Sequence, residues 1–234
     1  MRRLFLLLCL SIWVAPCFGT ITPVQSSNSP CISGAGTSCT VGFASNLTAG
    51  NFVVVGGSGA TGLSSVSITG FTCSLGTASN GRSFICYAAN FAGGVNSLTI
   101  TVPASSFLDA SAAEFSKIVA PSPADVTQAN DTFASNTTWT TATVTTLTAN
   151  DIVFYIGGTA VGNRTYTAGA SGTIASQVQD ATNLQSSFIW YRIVTTATGY
   201  TPSVSLNSAA AGTTLTMAFR ASPNFITRRR MSVF

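Results

Sequence analysis

Hydrophobic and polar positions alternate in short runs along this chain. Val66 and Ile68 alternate with serine and threonine, and Leu98, Ile100 and Val102 alternate with threonine. A period of two is typical of β-strands with one buried face, and no stretch shows the spacing of an amphipathic helix. The pattern predicts an all-β protein with strands near 21–26, 39–45, 51–57, 64–74, 83–89, 96–102, 110–118, 124–129, 138–146, 151–158, 164–167, 173–179, 186–194, 202–206 and 213–220.

Two runs are apolar without alternation, Phe52–Val55 and Ile152–Ile156. A strand with no polar face is covered on both sides. We therefore expect these two runs to be central strands of two sheets.

The surroundings of these runs repeat along the chain. Residues 47–53 match residues 147–153 at an offset of 100, and residues 83–87 match residues 187–191 at an offset of 104. Such a small drift predicts the duplication of one structural unit. Prolines at 121 and 123 mark the connection, because proline does not fit a central strand.

The predicted architecture is a pair of antiparallel β-sandwich units, immunoglobulin-like or jelly-roll-like in strand order, packed together. We expect the first unit over 20–119, the second over 120–222 and a basic tail over 223–234. Whether the units form two sandwiches or one fused sandwich is left open by the pattern.

Residues 1–19 have the features of a signal peptide. Arg2 and Arg3 precede an apolar run, Leu4–Val14, that is too short to span a bilayer, and Gly19 supplies a small residue for cleavage. Lipidation at Cys17 is disfavoured because a proline precedes it. We expect a secreted mature chain without a transmembrane segment.

Four cysteines, Cys31, Cys39, Cys73 and Cys86, follow this segment. An even number in a secreted chain predicts disulfides, and of the three possible pairings we favour the local ones, 31–39 and 73–86. A two-residue turn at Asn80-Gly81 would pair Cys86 with Leu75, so a disulfide to Cys73 predicts a turn centred one residue earlier, for instance a four-residue loop over 78–81. Without histidine or a C-x-x-C pair, no metal site and no cofactor are predicted.

Charge is scarce, at 7% of residues, and three of the basic residues form the run Arg228–Arg230. The folded body is close to neutral, which argues against nucleic acid as a partner. A surface of serine, threonine, asparagine and glycine offers little repulsion between copies, so self-association costs little.

Catalytic candidates are few. The absence of histidine excludes Ser-His-Asp and Cys-His arrangements, and Ser116 and Lys117 face opposite sides of a predicted strand. Glu114 is the most notable acid because it lies in an apolar strand; we expect it to face solvent or to pair with an arginine. The arginine candidates are Arg82, Arg164 and Arg192. A glycan hydrolase using Glu114 and an aspartate is a weaker hypothesis.

Oxygen-bearing residues over 125–131 lack the spacing of a calcium-binding EF-hand, so a solvated loop is favoured there. Asn46, Asn130, Asn136 and Asn163 begin N-glycosylation sequons, which function only in a eukaryotic secretory pathway. In a chain this rich in asparagine and threonine, we favour their occurrence by chance.

Aromatic residues offer a candidate carbohydrate-binding surface. Trp139 lies among threonines, and Tyr166 and Tyr200 lie near predicted loops. Exposed rings beside hydroxyl groups hold sugars through their apolar faces. The alternative, which we favour slightly, is that Trp139 packs at the junction of the two units. Trp190 is expected in the core.

Three segments carry a resemblance. Leu47–Val54, Phe91–Gly94 and Ala113–Phe115 resemble a broad group of secreted bacterial and phage-tail-associated β-sandwich proteins. The second unit departs from the pattern, with 197–199 reading Ala-Thr-Gly and no glutamate before Phe219. The resemblance implies surface exposure and a structural or adhesive role.

The leading hypothesis is therefore a secreted, non-enzymatic structural or adhesive protein whose partner is a second copy or an extracellular surface or glycan. A carbohydrate-binding module using Trp139 is the first alternative, and the hydrolase using Glu114 is the second.

Overall fold

The computed structural model describes residues 19–59, 63–76, 82–118, 124–169, 171–182 and 185–223. These residues form strands, turns and loops without helix, which confirms the all-β prediction. The strands are β1 (Thr22–Ser26), β2 (Cys31–Gly42), β3 (Phe52–Gly59), β4 (Thr72–Leu75), β5 (Arg82–Ala88), β6 (Ser97–Ser116), β7 (Ala124–Thr140), β8 (Val144–Thr145), β9 (Asp151–Thr159), β10 (Tyr166–Ala168), β11 (Thr173–Asp180), β12 (Gln185–Val194), β13 (Gly199–Tyr200) and β14 (Ser203–Arg220).

Two six-stranded antiparallel sheets contain most of these strands. The first has the order β1-β6-β3-β5-β4, with β2 also paired to β6. The second has the order β10-β14-β9-β12-β11, with β7 also paired to β14. Strands β8 and β13 form a short separate ribbon. The run β6-β3-β5-β4 of the first sheet thus has the same order as the run β14-β9-β12-β11 of the second.

Long bent strands replace several short strands of the prediction. In the β2–β6 ladder, Ser38 pairs with Thr101 and Gly36 pairs with Ser106, so β6 has extra residues over 102–105. Such a bulge bends a strand and increases its twist. The sheet curls at this point, and the two strands expected near 96–102 and 110–118 are one strand, β6.

The second sheet bends at the corresponding place. In the β7–β14 ladder, Thr138 pairs with Ser205 and Asn136 pairs with Ala210, which leaves the extra residues at 206–209. These positions lie 104 residues after 102–105, the same offset as in the sequence repeat. The two sheets thus share the position of a bulge and the order of four strands, and the duplication of one unit stays a prediction.

Strand β3 is buried on both faces, as its continuous apolar run predicts. Val53 and Val55 point into a first core inside the first sheet's curl, whereas Phe52 and Val54 point the opposite way. Strand β9 does the same, with Val153 and Tyr155 in a second core and the remaining residues of its run directed away from it: Ile152, Phe154 and Ile156.

The two sheets pack back to back through a shared core made of these outward faces. The ring of Phe52 stacks on that of Phe154 at 6.0 Å and meets Phe219 at 4.8 Å. A Cβ added to Gly56 would lie 2.5 Å from the Cγ2 of Ile156, so glycine is what lets the sheets approach. Each unit thus has its own core, and a third core joins them.

Both favoured cysteine pairs form disulfides, and both lie in the first sheet. Cys31 and Cys39, with Cα atoms 5.6 Å apart, bridge the bend within β2. Cys73 faces Cys86 directly, with Cα atoms 4.0 Å apart, and ties β4 to β5. This register agrees with the longer loop, although 77–81 lies outside the described residues, as do residues 1–18 and 224–234.

The repeated leucines Leu47 and Leu147 provide a test of this arrangement. Leu47 is 2% exposed in the first core, whereas Leu147 is 68% exposed. We expect Leu47→Ala to lower the free energy of unfolding by about 2–5 kcal/mol, because it leaves a cavity. Leu147→Ala should change it by less than about 0.5 kcal/mol. Urea unfolding of both variants checks this, and equal losses would contradict the packing.

Candidate functional site

The carboxylates of this protein are mostly inside it. Of its six acidic residues, only Asp131 is partly exposed; the buried ones are Asp109, Glu114, Asp125, Asp151 and Asp180. The predicted solvated loop over 125–131 is also wrong, because this segment belongs to β7. Asp131 accepts a hydrogen bond from the Thr141 hydroxyl. The first role to consider for these buried acids is therefore a structural one.

Glu114 fastens the turn that leads into β3. Its Oε1 accepts hydrogen bonds from the Thr48 backbone N–H at 2.8 Å and from Asn51 Nδ2 at 2.6 Å. Its Oε2 accepts one from Gln25 Nε2 at 2.7 Å, on the neighbouring strand β1. The expectation of a solvent-facing or arginine-paired glutamate is wrong, because this buried carboxylate is held by neutral donors.

These bonds also determine the charge of Glu114. Burial opposes ionisation, but the hydrogen bonds from Gln25, Asn51 and Thr48 outweigh it and lower the pKa of Glu114. A carboxylate that stays ionised is poorly suited to donate a proton to a leaving group. The geometry gives Glu114 the role of a turn-holding anion.

A pocket of about 310 Å³ lies beside this turn. Ser116 and Lys117 both line it, because Lys117 follows the end of β6 with a φ of 66°. The argument that these two residues face opposite sides of a strand therefore does not apply. The Ser116 hydroxyl donates to the Thr22 carbonyl at 3.5 Å, and Lys117 is exposed. Glu114 is not part of the pocket's lining.

The second unit fastens the corresponding turn with a different acid. Asp125 is the extra residue of a bulge in β7. Its Oδ2 accepts hydrogen bonds from the backbone N–H of Leu147 at 2.5 Å and from that of Thr148 at 3.4 Å. Its Oδ1 accepts a hydrogen bond from Arg220 Nε at 2.7 Å. Ala218 stands where the first unit has Glu114. In the sequence, the absence of a glutamate before Phe219 indicates that a different residue has to supply the acid at this turn.

Asp151 shares this environment. Thr148 Oγ1 donates to its Oδ1 at 2.8 Å. Burial and a hydrogen bond with Asp125 raise the pKa of Asp151 to about 7. Burial also opposes ionisation of Asp125, but its bond with Arg220 and others lower its pKa. Below about pH 7, Asp151 therefore holds its proton beside the ionised Asp125. The matching residue of the first unit is the neutral Asn51.

Stability should depend on pH through Asp151. Its pKa is about 7 in the folded protein against an ordinary value of 3.8 for aspartate, so between these pH values the folded state binds more protons than the unfolded state. This contribution to the free energy of unfolding therefore falls as pH rises from about 4 to about 7. We expect wild type to lose about 1–2 kcal/mol over this range relative to Asp151→Asn; the loss is limited because Asp125 titrates with it.

Urea unfolding of both proteins between about pH 4 and pH 8 measures this difference. The contribution of Glu114, which lies in the other sheet, is present in both proteins and cancels. Parallel pH profiles for wild type and Asp151→Asn would show that Asp151 holds no proton at neutral pH.

The candidate sugar-binding rings are all buried in the second core. Trp139 is 0% exposed, stacks on Phe133 at 5.2 Å and donates its N–H to the Ala210 carbonyl at 3.2 Å. Tyr166 donates to the Ser186 carbonyl at 3.0 Å, and the Tyr200 ring lies under Arg192. No flat face of these rings is open to a ligand. The alternative, in which Trp139 packs at the junction of the two units, is also wrong, because Trp139 packs inside the second unit.

Strands β2 and β7 form long edges of the two sheets. β7 runs for 17 residues and pairs with β14 along one side, and β2 runs for 12 residues against β6. On β7, residues 134–138 are exposed, and all five are alanine, serine, asparagine or threonine. On β2, the exposed residues are Ile32, Thr37, Ser38 and Thr40. We name these two strands the open edges.

Asparagines of the four sequons are all exposed, and Asn136 lies on the β7 open edge.

Comparison of the chain with protein-family models, with curated protein sequences and with solved structures finds no match. Among the described residues, no helix is long and apolar enough to cross a membrane.

Proposed function

We propose that this protein is a secreted, non-enzymatic structural or adhesive protein that makes its contacts through the open edges of its two sheets. The observation that carries the proposal is the β7 edge, which belongs to a 17-residue strand and is exposed, with uncharged side chains, over 134–138. A strand paired on one side has unpaired N–H and C=O groups on the other, and these can pair with a strand of another chain.

The placement of charge favours such contacts. Edges are commonly protected by lysine, proline or inward-pointing charge, and the exposed part of β7 over 134–138 contains none of these. Because five of the six acids are buried, the surface carries little negative charge to repel a second copy. The contact we propose is edge-to-edge pairing of β7 with a second copy of the chain.

The placement of the acids supports a non-enzymatic role. Glu114 and Asp125 each hold a turn through several hydrogen bonds, and Asp151 is buried beside Asp125. The hydrolase hypothesis needs two carboxylates flanking a substrate bond in an accessible cleft. Glu114 is instead enclosed by its donors.

Disulfide bonding supports the proposed location. Disulfides form and persist in oxidising compartments, and this chain has two of them in its first unit. The signal-peptide features of residues 1–19 predict the same route. Together they favour a protein that acts outside the cell.

Light scattering coupled to gel filtration on residues 20–234, produced in an oxidising compartment, tests the proposal. We expect a defined oligomer or a growing polymer. Asn136→Lys with Thr138→Lys should convert it to monomer, since both exposed residues lie on β7 and paired edges do not accommodate added charge.

The matched control is Ser64→Lys with Ser65→Lys. These residues are exposed but lie outside the strands, so the same charge is added away from the open edges. A wild-type monomer over the full concentration range would refute self-pairing. So would an oligomer that is lost equally in both lysine pairs, because net charge and not the β7 edge would then be responsible.

A further inference from the structure

The shared core becomes polar at one end, where β3 and β9 finish. On the first sheet, Ser58 of β3 pairs with Asp109 of β6, and Ser111 follows two residues later on the same face. The β3–β6 register is unbroken from Leu108 to Phe115, so these side chains point to the same side as Phe115 of the shared core. All three polar residues are buried.

The facing sheet has a matching polar group. Ser187 and Gln185 of β12 lie on the same face as Ile189 of the shared core, by strand alternation. Asp180 of β11 pairs directly with Gln185. Strand β6 packs across from β11 and β12, so these residues face Asp109 and Ser111.

The two groups are brought together by a close approach of the sheets. A Cβ on Gly158 would overlap the hydroxyl of Ser58, and Gly158 is the β9 partner of Ser187. Ser58 therefore lies against the backbone beside Ser187, with Asp109 next to it. We name this set of residues the interface cluster: Ser58, Asp109, Ser111, Asp180, Gln185 and Ser187.

The interface cluster has many buried oxygens without hydrogen bonds to the protein. Both carboxylate oxygens of Asp109 are in this state, as are the hydroxyls of Ser58, Ser111 and Ser187 and the amide oxygen of Gln185. Nearby polar residues are different: the Ser83 hydroxyl lies 2.6 Å from the Thr213 carbonyl and 2.8 Å from the Thr213 hydroxyl. Buried polar atoms are normally paired, so a set of unpaired oxygens at one place requires a ligand or water.

The electrostatics indicate which ligand fits. Asp109 is 1% exposed and lies near a second buried carboxylate, Asp180. Two carboxylates beside hydroxyl and amide oxygens form a negative, oxygen-rich site, which a positive ion would stabilise.

We propose that the interface cluster binds a divalent cation of the calcium type between the two sheets. Calcium takes six to eight oxygen ligands in flexible geometry, from carboxylates, carbonyls and amides. Asp109 and Asp180 supply the charged ligands, and Ser58, Ser111 and Gln185 supply neutral oxygens. Among the described residues, no three carboxylate, thiol or imidazole groups converge, so the neutral oxygens are necessary to complete this site.

Such an ion would join the two units. Its ligands come from β3 and β6 on one sheet and from β11 and β12 on the other. Binding to the folded state alone raises stability by mass action. The site is separate from the open edges, so it stands or falls independently of the proposed function.

Calorimetric titration of metal-free residues 20–234 with calcium chloride tests the site, with the thermal midpoint as a second measurement. We expect one calcium ion per chain and a higher midpoint on binding. Asp109→Asn should weaken calcium binding by about tenfold or more, since it removes a charged ligand. Its midpoint without metal should equal or exceed that of wild type, because an unpaired buried carboxylate is gone; this also shows that the variant folds.

Asp151→Asn is the matched control, because it makes the same chemical change at another fully buried acid. It should bind calcium as wild type does. The proposal is overturned if wild type binds no calcium at the roughly millimolar levels typical of extracellular calcium modules. Unchanged binding in Asp109→Asn, or an equal loss in Asp151→Asn, would also overturn it.

Discussion

Burial of β3 and β9 on both faces is the constraint on which the rest of this structure depends. Each strand serves the core inside its own curl and the core shared with the other sheet. Fully burying a valine or phenylalanine side chain contributes roughly 1.5–3 kcal/mol, so two continuous apolar strands supply much of the stability. The rest of each sheet has to curl around one face of its central strand and leave the other free for the partner sheet.

This constraint could be predicted well from the sequence, because it depends on residues that are adjacent along the chain. Continuous apolar runs identified Phe52–Val55 and Ile152–Ile156 as central, and short spacings favoured the correct cysteine pairs. Bends were harder. A bulged strand such as β6 breaks its alternation over 102–105 and resembles two strands separated by a loop.

Side-chain roles depended on contacts that no local pattern contains. Trp139 sits among exposed threonines along the chain, yet the curl of the sheet covers it with Phe133 and Tyr166. Nothing in the sequence around Asp109 indicates burial, and the packing of β6 against β11 and β12 is what buries it. Burial of an acid is a property of the packed sheets, so it could not be predicted before they were assembled.

Comparison of the two units within one chain separates what the fold requires from what it tolerates. Disulfides occur in one unit alone, so the described second unit forms the same strand order without them. A carboxylate bonded to the turn before the central strand occurs in both, although Glu114 and Asp125 lie on different strands of their ladders. Because adjacent strands bring either position within reach of the turn, the acid can change strands while the interaction is kept. The requirement is therefore for a buried anion at that turn, and the residue that supplies it is free to vary.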